Sequence, residues 1–306
     1  MGGLAPPGLV PQAGSRPFLK HRRGGPGDFQ GRLARALEVD RSPGTQAPLS
    51  FLSSVIAHQR ERASSPAVRA AAARVGAGSL GHRLVESFPL FELSASVETV
   101  VDEVPIAVAA LDGSAVPGPL LAAGRELGSR GRAERGTLVE NWLDDPSLLE
   151  PRVAAWIAMA AAPVLEVAAA TLKPISREDW SGPVCPACGG PPQVSVIREE
   201  SGEFMAGSPR YLVCGRCALW WNFARATCPW CGEDDSRRIG SYSPEEQRLV
   251  RIDACDTCRA YVKTFDLREP GGNDVVVLVD DVATLTLDVW AHEQGLTRSS
   301  VSLAGV

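Results

Sequence analysis

From Leu49 to about Leu172 apolar residues recur at helical intervals, and beyond Pro183 the recurrence shortens to alternation. Leu49, Leu52, Ser53, Ile56 and Gln59 hold i, i+3, i+4 spacing, with Ser50 as a candidate cap. Val97–Leu111 and Leu138–Leu143 carry similar stripes, interrupted by groups such as Val116-Pro117-Gly118-Pro119. Helices this short gain little stability alone and must pack on one another, so residues 46–173 are expected to form one all-α domain. Val153–Leu172 approaches the length of a membrane span, but Glu166 and Pro163 fall inside it. A buried, kinked core helix is expected there, with no stable membrane insertion.

On either side of this domain the pattern changes. Residues 1–45 are rich in Gly, Pro and Arg without a sustained hydrophobic period, and read as a disordered arm. A linker covers 174–183, within Lys-Pro-Ile-Ser-Arg-Glu-Asp-Trp-Ser-Gly-Pro. Gln193–Ile197, Arg210–Val213, Leu219–Phe223, Arg237–Tyr242, Gln247–Ile252 and Tyr261–Phe265 read as short strands, and Val275–Val279 as one more. Asp280–Gln294 returns to a helical period, with Val282, Leu285, Val289 and Trp290 on a shared face. Asp280-Asp281 at its start reads as a capping and dipole feature. The fold class is therefore α+β. An all-α domain precedes two tandem ribbons at 184–223 and 224–268, and residues 269–306 add a strand and a helix packing on them.

The ribbons are read from the cysteines. All eight lie in four Cys-x-x-Cys pairs: Cys185/Cys188, Cys214/Cys217, Cys228/Cys231 and Cys255/Cys258. Gaps of 25 and 23 residues flank a short gap of 10, the mark of a duplicated four-cysteine module. A thiolate pair two residues apart can grip one ion from a tight turn, and a second pair completes a tetrahedron. Gly189 and Gly232 follow the first pair of each module and accept the positive φ that such a turn requires. Matched flanking sequence favours sequential pairing over an interleaved cross-brace. Cys185, Cys188, Cys214 and Cys217 thus form one site, and Cys228, Cys231, Cys255 and Cys258 the other. A closed thiolate shell suits zinc or rubredoxin-type iron, so two such ions are the expected cofactors.

Composition narrows the reading. The 306 residues carry a formal charge of −5. Between Cys185 and Phe265 ten basic residues are balanced by ten acidic ones, which speaks against a nucleic-acid partner. The first residues lack a continuous apolar run, and Gly-Gly-Pro-Gly-Asp follows Arg22-Arg23, so no export signal is legible. A cytoplasmic location and metal-bound thiolates, rather than disulfides, are expected. With all four ligands thiolate no coordination position stays open for hydrolysis, and His21, His58, His82 and His292 are scattered, so no catalytic residue is assigned. Trp220, Trp221, Phe223 and Trp230 offer a candidate base-stacking platform for a nucleic-acid-binding zinc ribbon. A rubredoxin-like redox protein or thiol reductase is a further alternative.

One resemblance is specific. The run CPACG, RYLVCGRC, RATCPWCG and IDACDTCRAYVK, followed by DDVATLTLD and GLTRSS, resembles the formate dehydrogenase accessory proteins of the FdhE type across residues 184–300. The similarity is weaker in SFLSSVIAHQ and RVAAWIAMAAAPVLEVAAA of the helical half. The resemblance implies a cytoplasmic, non-catalytic assembly factor. Such a protein binds the immature catalytic subunit of formate dehydrogenase before export, and its cysteine region is associated with rubredoxin-like iron. Only the eight cysteines are carried over as metal ligands.

Overall fold

The computed structural model describes residues 24–39, 42–77, 88–172, 175, 177–199, 207–244, 248–298 and 300. Residues 1–23 of the expected arm, His21, His82, Gln247 and the last six residues lie outside these. Seven helices come first: α1 (Phe29–Glu38), α2 (Gln46–Ala63), α3 (Pro66–Gly76), α4 (Val97–Leu111), α5 (Gly118–Ser129), α6 (Arg132–Asp144) and α7 (Pro151–Ala169). Strands follow as β1 (Pro192–Ile197), β2 (Arg210–Cys214), β3 (Trp220–Phe223), β4 (Ile239–Tyr242), β5 (Val250–Cys255) and β6 (Ala260–Asp266). Helices α8 (Val277–Ala283) and α9 (Leu285–Glu293) and the short β7 (Thr297–Arg298) complete the described fold.

Helix α7 is the axis of the helical bundle, contacting α2, α3, α4, α5 and α6. Among the described residues it is the one helix long and apolar enough to cross a membrane, yet it lies mostly buried in the protein. Its alanines allow close approach, and its largest side chain, Trp156, is fully buried. The indole donates from Nε1 to the Leu120 carbonyl at 2.8 Å and packs against Gly124 of α5, where an added Cβ would come within 2.3 Å of the ring. Helix α2 begins earlier than its stripe suggested. Thr45 stands at its N-cap, and Ser50 lies inside it with its carbonyl accepting from Ser54 Oγ.

The arm expected over 1–45 is helical from Phe29 to Glu38, and α1 is a clamp rather than a solvated tail. Asp28 caps it by accepting from Gly31 N at 2.9 Å. Phe29 and Ala36 are buried with Leu49, Leu52 and Ile56 of α2 and with Val276, Val279 and Val282. Arg32 pairs with Glu166 of α7, both buried, and Arg35 pairs with Asp280 of α8 at 2.5 Å. The arginines that made the segment look solvated are the groups that fasten it.

The strands form one sheet in the order β3-β2-β1-β6-β5-β4, with β7 added alongside β6. Within each ribbon neighbours are antiparallel, and the ribbons meet where β1 runs parallel to β6, Val194 opposite Lys263 and Phe265 opposite Val196. Alternation assigns the two faces. Val194, Val196, Tyr211, Val213, Trp220 and Phe265 face the apolar segment that leads into α8. Leu212, Trp221 and Phe223 point the other way, into the core shared with the helical bundle. Trp220, Trp221 and Phe223 are therefore interior side chains, and of the four aromatics only Trp230 is exposed.

Two expectations near the C-terminus are corrected. Val275–Val279 is not a strand: α8 starts at Val277, and Asp280 Oδ2 accepts from Val276 N at 2.8 Å, closing the first turn. A β-branched run goes helical here because its side chains are buried on two sides, Val277 toward the sheet and Val276 and Val279 toward α1 and α2. The single helix expected over Asp280–Gln294 breaks at Thr284 into α8 and α9, and Val289 is exposed rather than on the buried face.

Candidate metal centres

Each Cys-x-x-Cys closes the same turn. The amide of the residue after the second cysteine donates to the carbonyl of the first: Gly189 to Cys185 at 2.9 Å, Ala218 to Cys214 at 3.2 Å, Gly232 to Cys228 at 3.1 Å and Arg259 to Cys255 at 2.9 Å. All four of these residues have left-handed backbones, with φ of 70°, 57°, 78° and 61°. Only the two glycines carry a sequence signal for this, so the αL positions of Ala218 and Arg259 were not legible. Turn amides also point at sulfur, Arg216 N toward Cys214 Sγ at 3.3 Å and Trp230 N toward Cys228 Sγ at 3.4 Å.

The four knuckles converge in sequential pairs. The sulfurs of Cys185, Cys188, Cys214 and Cys217 lie within 4.8 Å of one another, and so do those of Cys228, Cys231, Cys255 and Cys258. Each group could hold one metal ion. Cys185–Cys217, Cys188–Cys214 and Cys188–Cys217 are 3.6, 3.4 and 3.6 Å apart, and Cys228–Cys258 and Cys231–Cys255 are both 3.7 Å apart. A tetrahedron with metal–sulfur bonds of about 2.3 Å has edges of roughly 3.8 Å, whereas a disulfide would need about 2.05 Å. The donor set fits a four-thiolate ion.

The two clusters differ in surroundings. The inner one, Cys185 to Cys217, is fully buried in the core that joins the sheet to the helical bundle. Leu90 and Phe91 donate their amides to the carbonyls of Pro186 and Ala187 at 3.1 and 3.0 Å, laying a piece of the helical half along the first knuckle. Arg216, inside the second knuckle, donates to the carbonyls of Leu143 and Trp142 at 3.0 Å each and stacks on the Trp142 ring, capping the end of α6. Among the thiols themselves, burial pushes Cys185 and Cys217 well above their ordinary range, while hydrogen bonds from the other three sulfurs hold Cys188 well below it. The outer cluster has Cys231 exposed and Cys258 half-buried, beside the exposed Trp230. Thr257 Oγ1 donates to Glu233 Oε2 at 2.5 Å and ties its two knuckles together.

A third constellation lies between β6, α8, α9 and β7. Lys263 is fully buried with Nζ 2.8 Å from Asp281 and 2.5 Å from Asp288. Arg298 meets the same two carboxylates at 2.6 and 3.0 Å, and Tyr261 donates to Asp288 at 2.8 Å. Asp280-Asp281 do not begin the helix as expected: Asp280, inside α8, accepts from Val276 N and pairs with Arg35, and Asp281 turns inward as a counter-ion. Nothing in the spacing announced this network, because its members come from four separate elements. His58 is buried in α2, where burial lowers its pKa, and His292 is exposed on α9.

Together these features define a class: a ribbon protein whose two four-cysteine groups, each able to hold a metal ion, share one sheet, with a helical domain closed over the inner group. Residues 184–225 match the family model described as FdhE, central domain, and residues 227–304 match FdhE, C-terminal domain. Across these residues the chain is similar to the FdhE family. Proteins named as FdhE homologues agree: one from Aquifex aeolicus is 32% identical over 143 residues and one from Pseudomonas aeruginosa 35% over 132 residues. These matches take in 47% and 41% of this chain, and the chain spans less than half the length of either relative, 48% and 40%. The crystal structure of the FdhE protein from Pseudomonas aeruginosa shares the fold, with a TM-score of 0.67 and 22% identity over 90% of this chain and 94% of that one.

Proposed function

We propose that this chain is a non-catalytic accessory protein in the maturation of formate dehydrogenase, binding the immature catalytic subunit in the cytoplasm. The observation that supports this reading is the convergence of all eight cysteines into two clusters within the segment matched by the FdhE family. In this reading Cys185, Cys188, Cys214 and Cys217 ligate one ion, and Cys228, Cys231, Cys255 and Cys258 a second, of zinc or iron. Such ions would act as clamps, and iron would add a one-electron couple. The chain's own residues then shape the recognition surface: the knuckles fix the ribbon ends, and α1 and the Lys263 network fix the sheet against the helices. A tagged chain, expressed in cells that make a molybdenum- or tungsten-dependent formate dehydrogenase, is expected to co-purify with its catalytic subunit. Recovery without that subunit would refute the proposal.

The exposure of Cys231 favours one further reading, a rubredoxin-like redox role. Protein made in iron-replete cells is then expected to show a thiolate–iron charge-transfer spectrum that bleaches reversibly on reduction. A colourless zinc form that takes up no iron would dismiss it.

A further inference from the structure

The two clusters are built from the same turn but sit on opposite sides of an access barrier. Every cysteine of the inner cluster is at most 1% exposed. Its knuckles are covered by the Leu90–Phe91 segment, by Trp221 and by the end of α6 held through Arg216. A competing donor can reach that cluster only after the helical bundle lifts from the sheet. Among the described residues the outer cluster has no such cover: Cys231 is exposed, Cys258 half-buried, and its wall on that side is the 59% exposed Trp230.

We infer that the two sites divide their roles. The inner ion is a fixed part of the fold, and the outer site is an exchange site that gives up or receives a soft divalent ion through Cys231. This rests on the reading that both clusters hold ions. In the exchange an incoming nitrogen or thiolate donor forms a bond to the ion as the Cys231 Sγ bond breaks. The departing thiolate takes a proton from water, and no electrons change hands. Cys258 is the next accessible sulfur, and the buried Cys228 and Cys255 release last. At the inner site the same substitution waits on local opening of an interface, a rarer event than solvent contact at an exposed sulfur.

The test uses the full chain loaded with two equivalents of zinc and an excess of a chromophoric zinc chelator. Release is expected in two phases of one equivalent each, the fast phase at least about tenfold ahead of the slow one, which is ~1.4 kcal/mol in barrier. Cys231→Ser is expected to lose the fast equivalent and keep the slow one. As a check needing no variant, iodoacetamide labelling of the loaded wild-type chain, followed by mass spectrometry, is expected to modify Cys231 first and the four inner cysteines last. A single phase of two equivalents, or inner cysteines labelled as fast as Cys231, overturns the division of roles and leaves the metal reading standing. A chain that binds neither zinc nor iron overturns both.

Discussion

Replacing Lys263 with methionine removes the ammonium from a network whose side chains are at most 4% exposed, leaving Asp281 and Asp288 to share Arg298 alone. Two cations facing two carboxylates become one facing two. Breaking a buried ion pair from one side costs about 3–5 kcal/mol, because the stranded charge stays desolvated. At a few degrees per kcal/mol for a chain of this size, the thermal midpoint should fall by roughly 10 °C. Urea unfolding followed by tryptophan fluorescence, at fixed zinc, measures the free energy directly. Lys263→Met combined with Asp288→Asn restores the charge balance, so the double variant should recover about 1–3 kcal/mol relative to the sum of the two single losses. A loss below about 1 kcal/mol for the single variant, or strict additivity in the double, would falsify the view that charge balance holds this joint.

The same network has a pH signature. Burial alone would raise the Asp281 pKa, but Arg298 and Lys263 more than offset it and hold the carboxyl at about 2, below its ordinary 3.8. A depressed pKa stabilises the fold above the ordinary value and is lost as pH falls toward 2. The stability gap between wild type and Asp281→Asn should therefore narrow by about 2 kcal/mol from pH 5 to pH 2, read from urea midpoints, and a constant gap would contradict the assignment. In the helical bundle, a Cβ on Gly124 would come within 2.3 Å of the Trp156 ring, so Gly124→Ala should cost about 1–3 kcal/mol of overpacking in thermal melts. Gly232, with φ of 78° and open space around it, should lose only the left-handed backbone term on mutation to Ala, about 1 kcal/mol, with zinc stoichiometry unchanged.

What was legible in the chain was local. The ligand pairs span four residues and close a single turn, so their chemistry shows in any window that contains them. Helix α4 was equally clear, since its stripe from Val97 to Leu111 needs no distant partner to be recognised. Features fixed by contacts across the fold were hidden. Arg32 looks solvated until Glu166, 134 positions away, supplies its counter-ion. Lys263 reads as the polar interruption of a strand, yet it is among the most buried side chains because α8 and α9 bring carboxylates to it. Val275–Val279 carries strand-like residues, but Asp280 closes a helical turn over Val276 that local propensity does not register.

The order of the strands carries a consequence for assembly. Each ribbon supplies three strands in the same sequence, so β1 corresponds to β4, β2 to β5 and β3 to β6. The join uses the first strand of one ribbon and the third of the other, which makes it head-to-tail rather than two-fold symmetric. Such a contact does not close on itself: the free edges, β3 and β4, are the same two kinds of strand that form the join. A chain of ribbons could in geometry grow from either end. At one edge β3 is buried along its whole length, with Trp221 and Phe223 in the core shared with the helical bundle. At β4 the strand is only four residues long, and the Tyr242 ring folds over Gly240 and leans on Trp290 at 5.3 Å. A short, aromatic-covered edge is a poor template for another strand. The helical domain and one tyrosine thus act as the two end-stops of a repeat that would otherwise have no natural length.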